Sequence, residues 1–277
     1  MNRARPRRAL PAPLVVAAAV WAIAAVAAAL LSPWLVPDAT SQDLATGIIG
    51  PADGHVLGTD RLGRDVFQLL VAGARTAVLG ALAITIGSLV IGNLIGLAAG
   101  YAGGLLDSIA MRWVDIMFSV PALLVAIVVT GLFGGGLVLA VTVLAVLFSP
   151  NDARIARGAV LEQRHLAYVE AARLLDLPAW KIALRHVWPN ASPIIVAQSF
   201  LNFAFALVSL AGLSFLGFGV RAGSPDWGRT LTDNKDQLFA NPWAAIAPAL
   251  AIIMTAAAVN LVGDWVFERT GRTRVRS

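Results

Sequence analysis

The sequence predicts an all-α, polytopic membrane protein of six transmembrane helices, and three observations carry that prediction. Hydrophobic residues make up 58% of the 277-residue chain and charged residues only 13%, about half the charged share of ordinary soluble domains. Uncharged stretches long enough to cross a bilayer recur along the chain. Lysine and arginine collect in alternate connecting segments, as topology requires. Several spans of about 20 residues each leave little chain for a separate soluble core. One integral-membrane domain is therefore expected over 14–267, with short tails at 1–13 and 268–277.

The first span is expected at about 14–36, where the uncharged run Leu14 to Val36 would rise about 35 Å as a helix, against a hydrocarbon core of about 30 Å. The basic start with Arg3, Arg5, Arg7 and Arg8 also suits a signal peptide, but signal h-regions run only about 7 to 15 residues. A second span is expected at 76–100. The long uncharged run from Ile116 to Pro150 exceeds one ordinary helix. Gly131 with Gly134, Gly135 and Gly136 supplies a flexible turn inside it. That turn divides it into spans at about 110–131 and 136–151. Two further runs give spans at 193–219 and 243–264.

An even count places both termini on one side. Six basic residues then fall outside (Arg61, Arg64, Arg75, Arg221, Arg229 and Lys235), and of 21 in total the remaining 15 (21 − 6) fall inside. This asymmetry predicts cytoplasmic termini and reads the net charge of +5 as topology and contact with membrane lipids, not nucleic-acid binding.

Several function classes are disfavoured. No Asp, Glu, Lys or Arg falls in the middle of an expected span, where ion-coupled transporters commonly carry one. Sodium sites built from carbonyls and hydroxyls at helix breaks would still fit a secondary transporter. A P-loop needs lysine after glycine, and Lys181 and Lys235 follow tryptophan and asparagine. There is no cysteine, and His55, His165 and His186 lie in separate segments without metal-binding spacing. No catalytic residue, metal site or cofactor is expected.

The most informative segment is the inside loop, 152–190, long enough to need structure of its own. Leu166, Val169, Ala172 and Leu175 recur every third position, which predicts a short surface helix. Pro178 prevents its continuation. Trp180, Ala183, Leu184, Val187 and Trp188 then follow the helical i, i+3, i+4 pattern, with Lys181 and Arg185 on the other face. Pro189 is expected to close that second helix, and Ser192-Pro193 to cap and start the fifth span. Periodicity alone fits equally a hairpin that merely covers the inner mouth of the bundle.

Glu170-Ala171-Ala172, followed by Val187-Trp188-Pro189-Asn190, resembles the EAA loop of binding-protein-dependent ABC importer permeases, placed between the fourth and fifth helices. That resemblance implies that the loop docks in a groove on a separate ATP-hydrolysing subunit. Ala171 and Ala172 would allow close approach, and Glu170 would pair with a basic residue of the groove. Where the family pattern has glycine, this chain has Asp176. Aspartate enters the left-handed region that ends such helices less easily than glycine, but more readily than most residues.

Further stretches resemble the dipeptide, oligopeptide and nickel permeases, and specifically the second of their two permease subunits. They are Leu57 to Val66 with Thr59, Asp60, Arg64 and Asp65; Gly100-Tyr101 with Asp107, Met111-Arg112, Asp115 and Pro121; Gly212 to Gly219; Pro225-Asp226-Trp227-Gly228; and Asn260 to Asp264. The resemblance covers nearly the whole chain. It implies a pathway for di- or oligopeptides formed with a homologous permease. ATPase subunits would drive it and an extracellular or periplasmic solute-binding protein would feed it, at the bacterial cytoplasmic membrane. Nickel or another small solute is the alternative cargo, and a self-sufficient secondary transporter or channel the rival class. Structural roles are preferred for Asp60, Thr59, Tyr101 and Trp227, the last as an interfacial anchor. Gly212, Ser214, Gly217 and Gly219 are expected to pack the fifth span against the partner permease.

Overall fold

A computed structural model describes residues 12–274, and all regular structure among them is helical. In chain order the helices are α1 (Ala12–Leu35), α2 (Val66–Ala102), α3 (Gly104–Phe118), α4 (Ala122–Leu132), α5 (Leu137–Gln163), α6 (Ala167–Leu174), α7 (Ala179–Ile182), α8 (Trp188–Phe215), α9 (Trp227–Asn234) and α10 (Trp243–Arg274). Five are long and apolar enough to cross a membrane, and α3 with α4 makes a sixth if the bent pair counts as one span. Most of the expected amino-terminal tail lies outside the described residues. Of the expected carboxy-terminal tail, residues 268–274 continue α10 and the rest lies outside the described residues.

Prolines explain most departures from the expected boundaries. The third span is not one helix over 110–131, because α3 and α4 meet at 81°. Pro121 has no N–H to continue α3, and its ring keeps Val120 out of the α region. Its own extended backbone (ψ 115) starts α4 instead. Elsewhere proline is absorbed. Pro150 stands inside α5, which runs on to Gln163 instead of stopping near 151. The carbonyl of Val146 that it leaves free accepts from the Ser149 hydroxyl at 2.7 Å. Ser192-Pro193 repeats the device, with the Ser192 hydroxyl donating to the Pro189 carbonyl at 3.1 Å. That pair is therefore a mid-helix rescue and not a helix start.

Pro189 likewise fails to end the second loop helix. A π-turn over Ala183–Val187 joins α7 to α8, so helical backbone runs unbroken from Ala179 to Phe215. The wider turn makes room for the proline ring one residue beyond Trp188. The Asn190 side chain donates to the His186 carbonyl at 2.8 Å.

Helix α2 starts at Val66, well before the expected 76, because Asp65 accepts from the Gln68 amide at 2.8 Å and caps it. Its 37 residues rise about 55 Å, more than a bilayer core. The tightest interface pairs α2 with α5. Gly87, Gly92, Gly96 and Gly100 present bare backbone to Ala145, Asp152, Ala153 and Val160, letting the two helices approach closely. The main core gathers Ala77, Ala81 and Ile84 of α2, Leu144 of α5 and Leu207, Leu210 and Leu213 of α8. Trp21 of α1 donates to Thr255 of α10 at 3.1 Å, closing the bundle. Ion pairs tie α3 beneath α5: Arg157 to Asp107 through both carboxylate oxygens, and Arg154 to Asp115 at 2.9 Å with Phe118 under its guanidinium.

Candidate functional site

The chain presents three regions with polar machinery: the α6–α7 hairpin at one end, a folded cap at the other, and a polar cluster between α5 and α8.

In the hairpin, α6 ends as its sequence required. Leu175 closes the last turn, and Asp176 takes the left-handed conformation (φ 54), the one described non-glycine residue with positive φ. Pro178 then opens α7 from an extended backbone. Val169, Ala172, Ile182 and Val187 are buried against Val160 of α5, with Leu97 and Tyr101 of α2 packed beside them. The hairpin thus faces its own bundle through Ala172 and Val187. This corrects the expectation that both alanines are free for a partner: Ala172 is 4% exposed, whereas Ala171 is exposed. Trp188 is half-buried among Ala156, Ala159 and Ile195. Pro178 and Pro189 are exposed and Asn190 is half-buried. The outer face carries Glu170, Ala171 and Arg173, together with Leu174 (86% exposed), Leu175 (74%) and Trp180 (67%). Leu166 and Leu175, expected on the same stripe as Val169, lie on this exposed side. The Glu170 carboxylate has no partner within the described residues. Arg173 lies over the Tyr101 ring at 5.8 Å, and Arg164 donates to the Gly100 carbonyl at 3.0 Å near the end of α2.

The opposite end is closed by residues 36–65, α9 and the approach to α10. Asp60 and Arg64 form a fully buried ion pair (2.6 Å), and the other Asp60 oxygen accepts from the Leu62 and Arg64 amides. Asp65 adds a contact to His55 (2.7 Å) to its capping role. Asn241, wholly buried, donates to the Leu57 and Thr59 carbonyls at 2.9 and 3.1 Å while its oxygen accepts from the Trp243 amide. Sequence reading missed Asn241; its signal was an Asn-Pro-Trp start before an apolar run. Trp227 is 3% exposed and donates to the Leu70 carbonyl at 2.8 Å. It is a wedge between α9 and α2, not an interfacial anchor. Gly228 of α9 lies directly on the Ala211 backbone, where any side chain would collide.

Asp226 caps α9 by accepting from the Arg229 amide at 3.0 Å. Burial pushes its carboxyl above the usual carboxylate range, opposed by the hydrogen bond from the Arg229 amide. Ser214 is itself wholly buried, and Gly219 lies flat against it. Gly217 (φ 88) ends α8, and its amide donates to Ser214. Ser214 and Gly219 are thus buried inside the chain, whereas Gly217 is exposed and Gly212, half-buried, has open space before it.

The third region was not anticipated, because the fourth span was expected to stop at Asn151. Asp152 lies within α5, 2% exposed, and accepts from the Asn202 amide of α8 at 2.5 Å. The Asn202 oxygen in turn faces the amide nitrogens of Gln198 (3.2 Å) and Asn151 (3.4 Å). These three amides line a cavity of about 540 Å³ between the α3–α4 elbow, α5 and α8.

Known proteins share this architecture. Residues 92–274 match the family described as binding-protein-dependent transport system inner membrane component. The chain is 35% identical over 260 residues to a glutathione transport system permease protein of Pectobacterium atrosepticum, spanning 93% of this chain and 86% of that protein. It is 32% identical over 255 residues to a probable D,D-dipeptide transport system permease protein of Escherichia coli K12 (92% and 86%). A di/tripeptide transport system permease protein of Pseudomonas aeruginosa is 33% identical over 243 residues (85% and 80%). In fold, the chain superposes on a subunit of the MetNI methionine ABC transporter in an inward facing conformation. The TM-score is 0.56 at 21% identity, covering 73% of this chain and 96% of that one. The chain belongs to the family of binding-protein-dependent transport system inner membrane components and is a transport permease component, not an enzyme.

Proposed function

We propose that this chain is one of two homologous permeases that form the pathway of an ATP-driven importer for di- or oligopeptides. It crosses the membrane six times, counting the α3–α4 elbow as one span, with both termini and the α6–α7 hairpin in the cytoplasm. ATPase subunits dock on the outer face of that hairpin, and a solute-binding protein delivers cargo at the cap end. Nucleotide-driven closure of the ATPases moves the hairpin, and α7 with α8 carries that movement into the bundle as an alternating-access cycle.

The observation that carries the reading is the division of the hairpin into two faces. One is buried on α2 and α5. The other exposes Leu174, Leu175 and Trp180 around an unpaired Glu170, an apolar patch with a charged centre that a soluble partner would cover. Peptide cargo is supported by the relatives, whose names specify glutathione, D,D-dipeptides and di- and tripeptides. Glu170→Lys tests the docking. Reversing a charge at a complementary contact costs several kcal/mol, so uptake by the reconstituted complex should fall at least about tenfold and co-purification of the ATPase should weaken. Uptake and ATPase activity equal to wild type would overturn the role given to Glu170.

A further inference from the structure

The cluster at Asp152 is unusual for its burial. Asp152, Asn202, Gln198 and Asn151 stand on helices that cross the membrane, at a level where neighbouring positions are Leu147, Leu201 and Phe205. Asp152 is nine-tenths or more buried. None of the described basic side chains pairs with it, since Arg154 and Arg157 are engaged by Asp115 and Asp107. The Ser88 hydroxyl of α2 lies beside its second oxygen, but donates to the Thr85 carbonyl at 3.1 Å. Gly92 faces it from α2 without a side chain. Its one clear hydrogen bond comes from Asn202. A buried carboxylate left unmatched is costly unless it serves a pathway or a cation.

The hydrogen bonds also have a direction. Asp152 takes the N–H end of Asn202, which turns the Asn202 oxygen toward the cavity. That oxygen accepts one N–H each from Gln198 and Asn151. Lipid cannot satisfy the remaining amide groups. The cavity wall they form therefore suits contact with water or a polar solute better than with lipid, and the carboxylate stands directly behind Asn202.

We infer that the Asn151–Gln198–Asn202 face is a polar track for solute in transit, and that Asp152 behind it makes the track selective for positively charged groups such as the ammonium end of a peptide. This rests on the permease reading above. It adds a location and a charge preference inside the membrane to whatever selectivity a binding protein exerts outside.

The chain contains no cysteine, so single thiols can report on the track without removing others. In the assembled complex with cysteine-free partners, Gln198→Cys and Ser209→Cys would face the cavity. Val208→Cys, on the exposed side of α8 and outside the cavity lining, is the control. Each is treated in proteoliposomes with two small methanethiosulfonates, one carrying trimethylammonium and one sulfonate, with rates normalised to a free thiol. The expected result is labelling at both cavity positions at least about tenfold faster than at Val208. At Gln198 the cationic reagent should lead the anionic one by about tenfold, the size of effect a nearby unit charge produces in a partly screened interior. That preference should collapse toward one in Asp152→Asn, which keeps the shape and a hydrogen bond to Asn202.

Labelling at Gln198 no faster than at Val208, or a preference unchanged by Asp152→Asn, overturns the inference. If Asp152→Asn does not assemble, the wild-type preference at Gln198 decides, and a ratio of one refutes it. Uptake is measured on the same samples. Retained uptake with failed labelling rejects the track alone, whereas no uptake and no bound ATPase in the cysteine-free parent would reject the permease reading itself.

Discussion

Replacing Gly96 by alanine should be among the most damaging single-methyl changes in the bundle. An ideal Cβ at this position would lie 2.5 Å from the Ala153 carbonyl oxygen, 2.7 Å from the Ala156 methyl and 2.9 Å from the Arg157 amide nitrogen. Two of those three neighbours are backbone and cannot rotate away. Restoring ordinary contact of about 3.5 Å requires α2 and α5 to separate by about 1 Å at one of their closest approaches. Overpacking of this kind costs about 1–3 kcal/mol, which for a chain of this size lowers the melting temperature by several degrees at about 2–4 °C per kcal/mol. Gly100→Ala should be milder, because its Cβ would meet the Val160 side chain at 3.0 Å and that residue can adjust. Gly158→Ala should act in the opposite direction. It lies in α5 with nothing within 4 Å, so alanine gains up to about 1 kcal/mol of helix propensity. The assay is thermal unfolding of the purified complex in detergent. An order other than Gly158→Ala above wild type, then Gly100→Ala, then Gly96→Ala would refute the claim that glycine contact, and not apolar area alone, holds α2 to α5.

Two further outcomes follow from the cap. Asp60→Ala strands Arg64 as a buried, unpaired cation and should cost about 3–5 kcal/mol, while replacing both residues with apolar ones of similar volume should recover most of that loss; equal melting of single and double variants would contradict the buried-pair account. For Asp226, whose carboxyl is pushed above its ordinary value of 3.8, the folded state favours the protonated form. Its contribution to stability is therefore complete below the unfolded value and is lost as pH rises through the raised folded value. Asp226→Asn keeps an N-cap acceptor and should gain stability relative to wild type as pH rises from about 4 to 8; a pH-independent difference between the two melting curves would count against burial as the cause.

The long apolar helices were legible because span length is set by the bilayer and nothing else in the chain competes with it. The end of α6 was legible too, since Asp176 and Pro178 act locally. What sequence reading misplaced were the prolines. Pro121 breaks a span and Pro150 and Pro193 do not; at the latter two a serine at the preceding position gives its hydroxyl to the orphaned carbonyl, whereas Pro248 is carried within the first turns of α10 without one. Ser119 lies two residues before Pro121, too early for that bond. At Pro189 the accommodation is a π-turn, which leaves no local mark. Small-residue packing was assigned to Gly212–Gly219, whereas the close helix contact is made by Gly92, Gly96 and Gly100, an evenly spaced run already visible in the sequence. Within the candidate sites, the exposure of Glu170 followed from helical phase. The burial of Ala172, Ser214 and Trp227 did not, because which flank of a short element meets the rest of the chain is a tertiary fact. Asp152 escaped notice for a similar reason: a charge next to a proline looks like a boundary until the helix is seen to continue.

The elbow at Pro121 has a consequence for how the subunit can exist at all. Helix α4, with eleven residues, advances only about 17 Å, little more than half the hydrocarbon depth. At the elbow α3 turns aside, and the amide-lined hollow opens there between α3, α4, α5 and α8. A solitary copy would present wet, polar surface to acyl chains along that sector. A second protein surface over that sector would shield it, so the pairing proposed for transport would also suit the subunit to the bilayer.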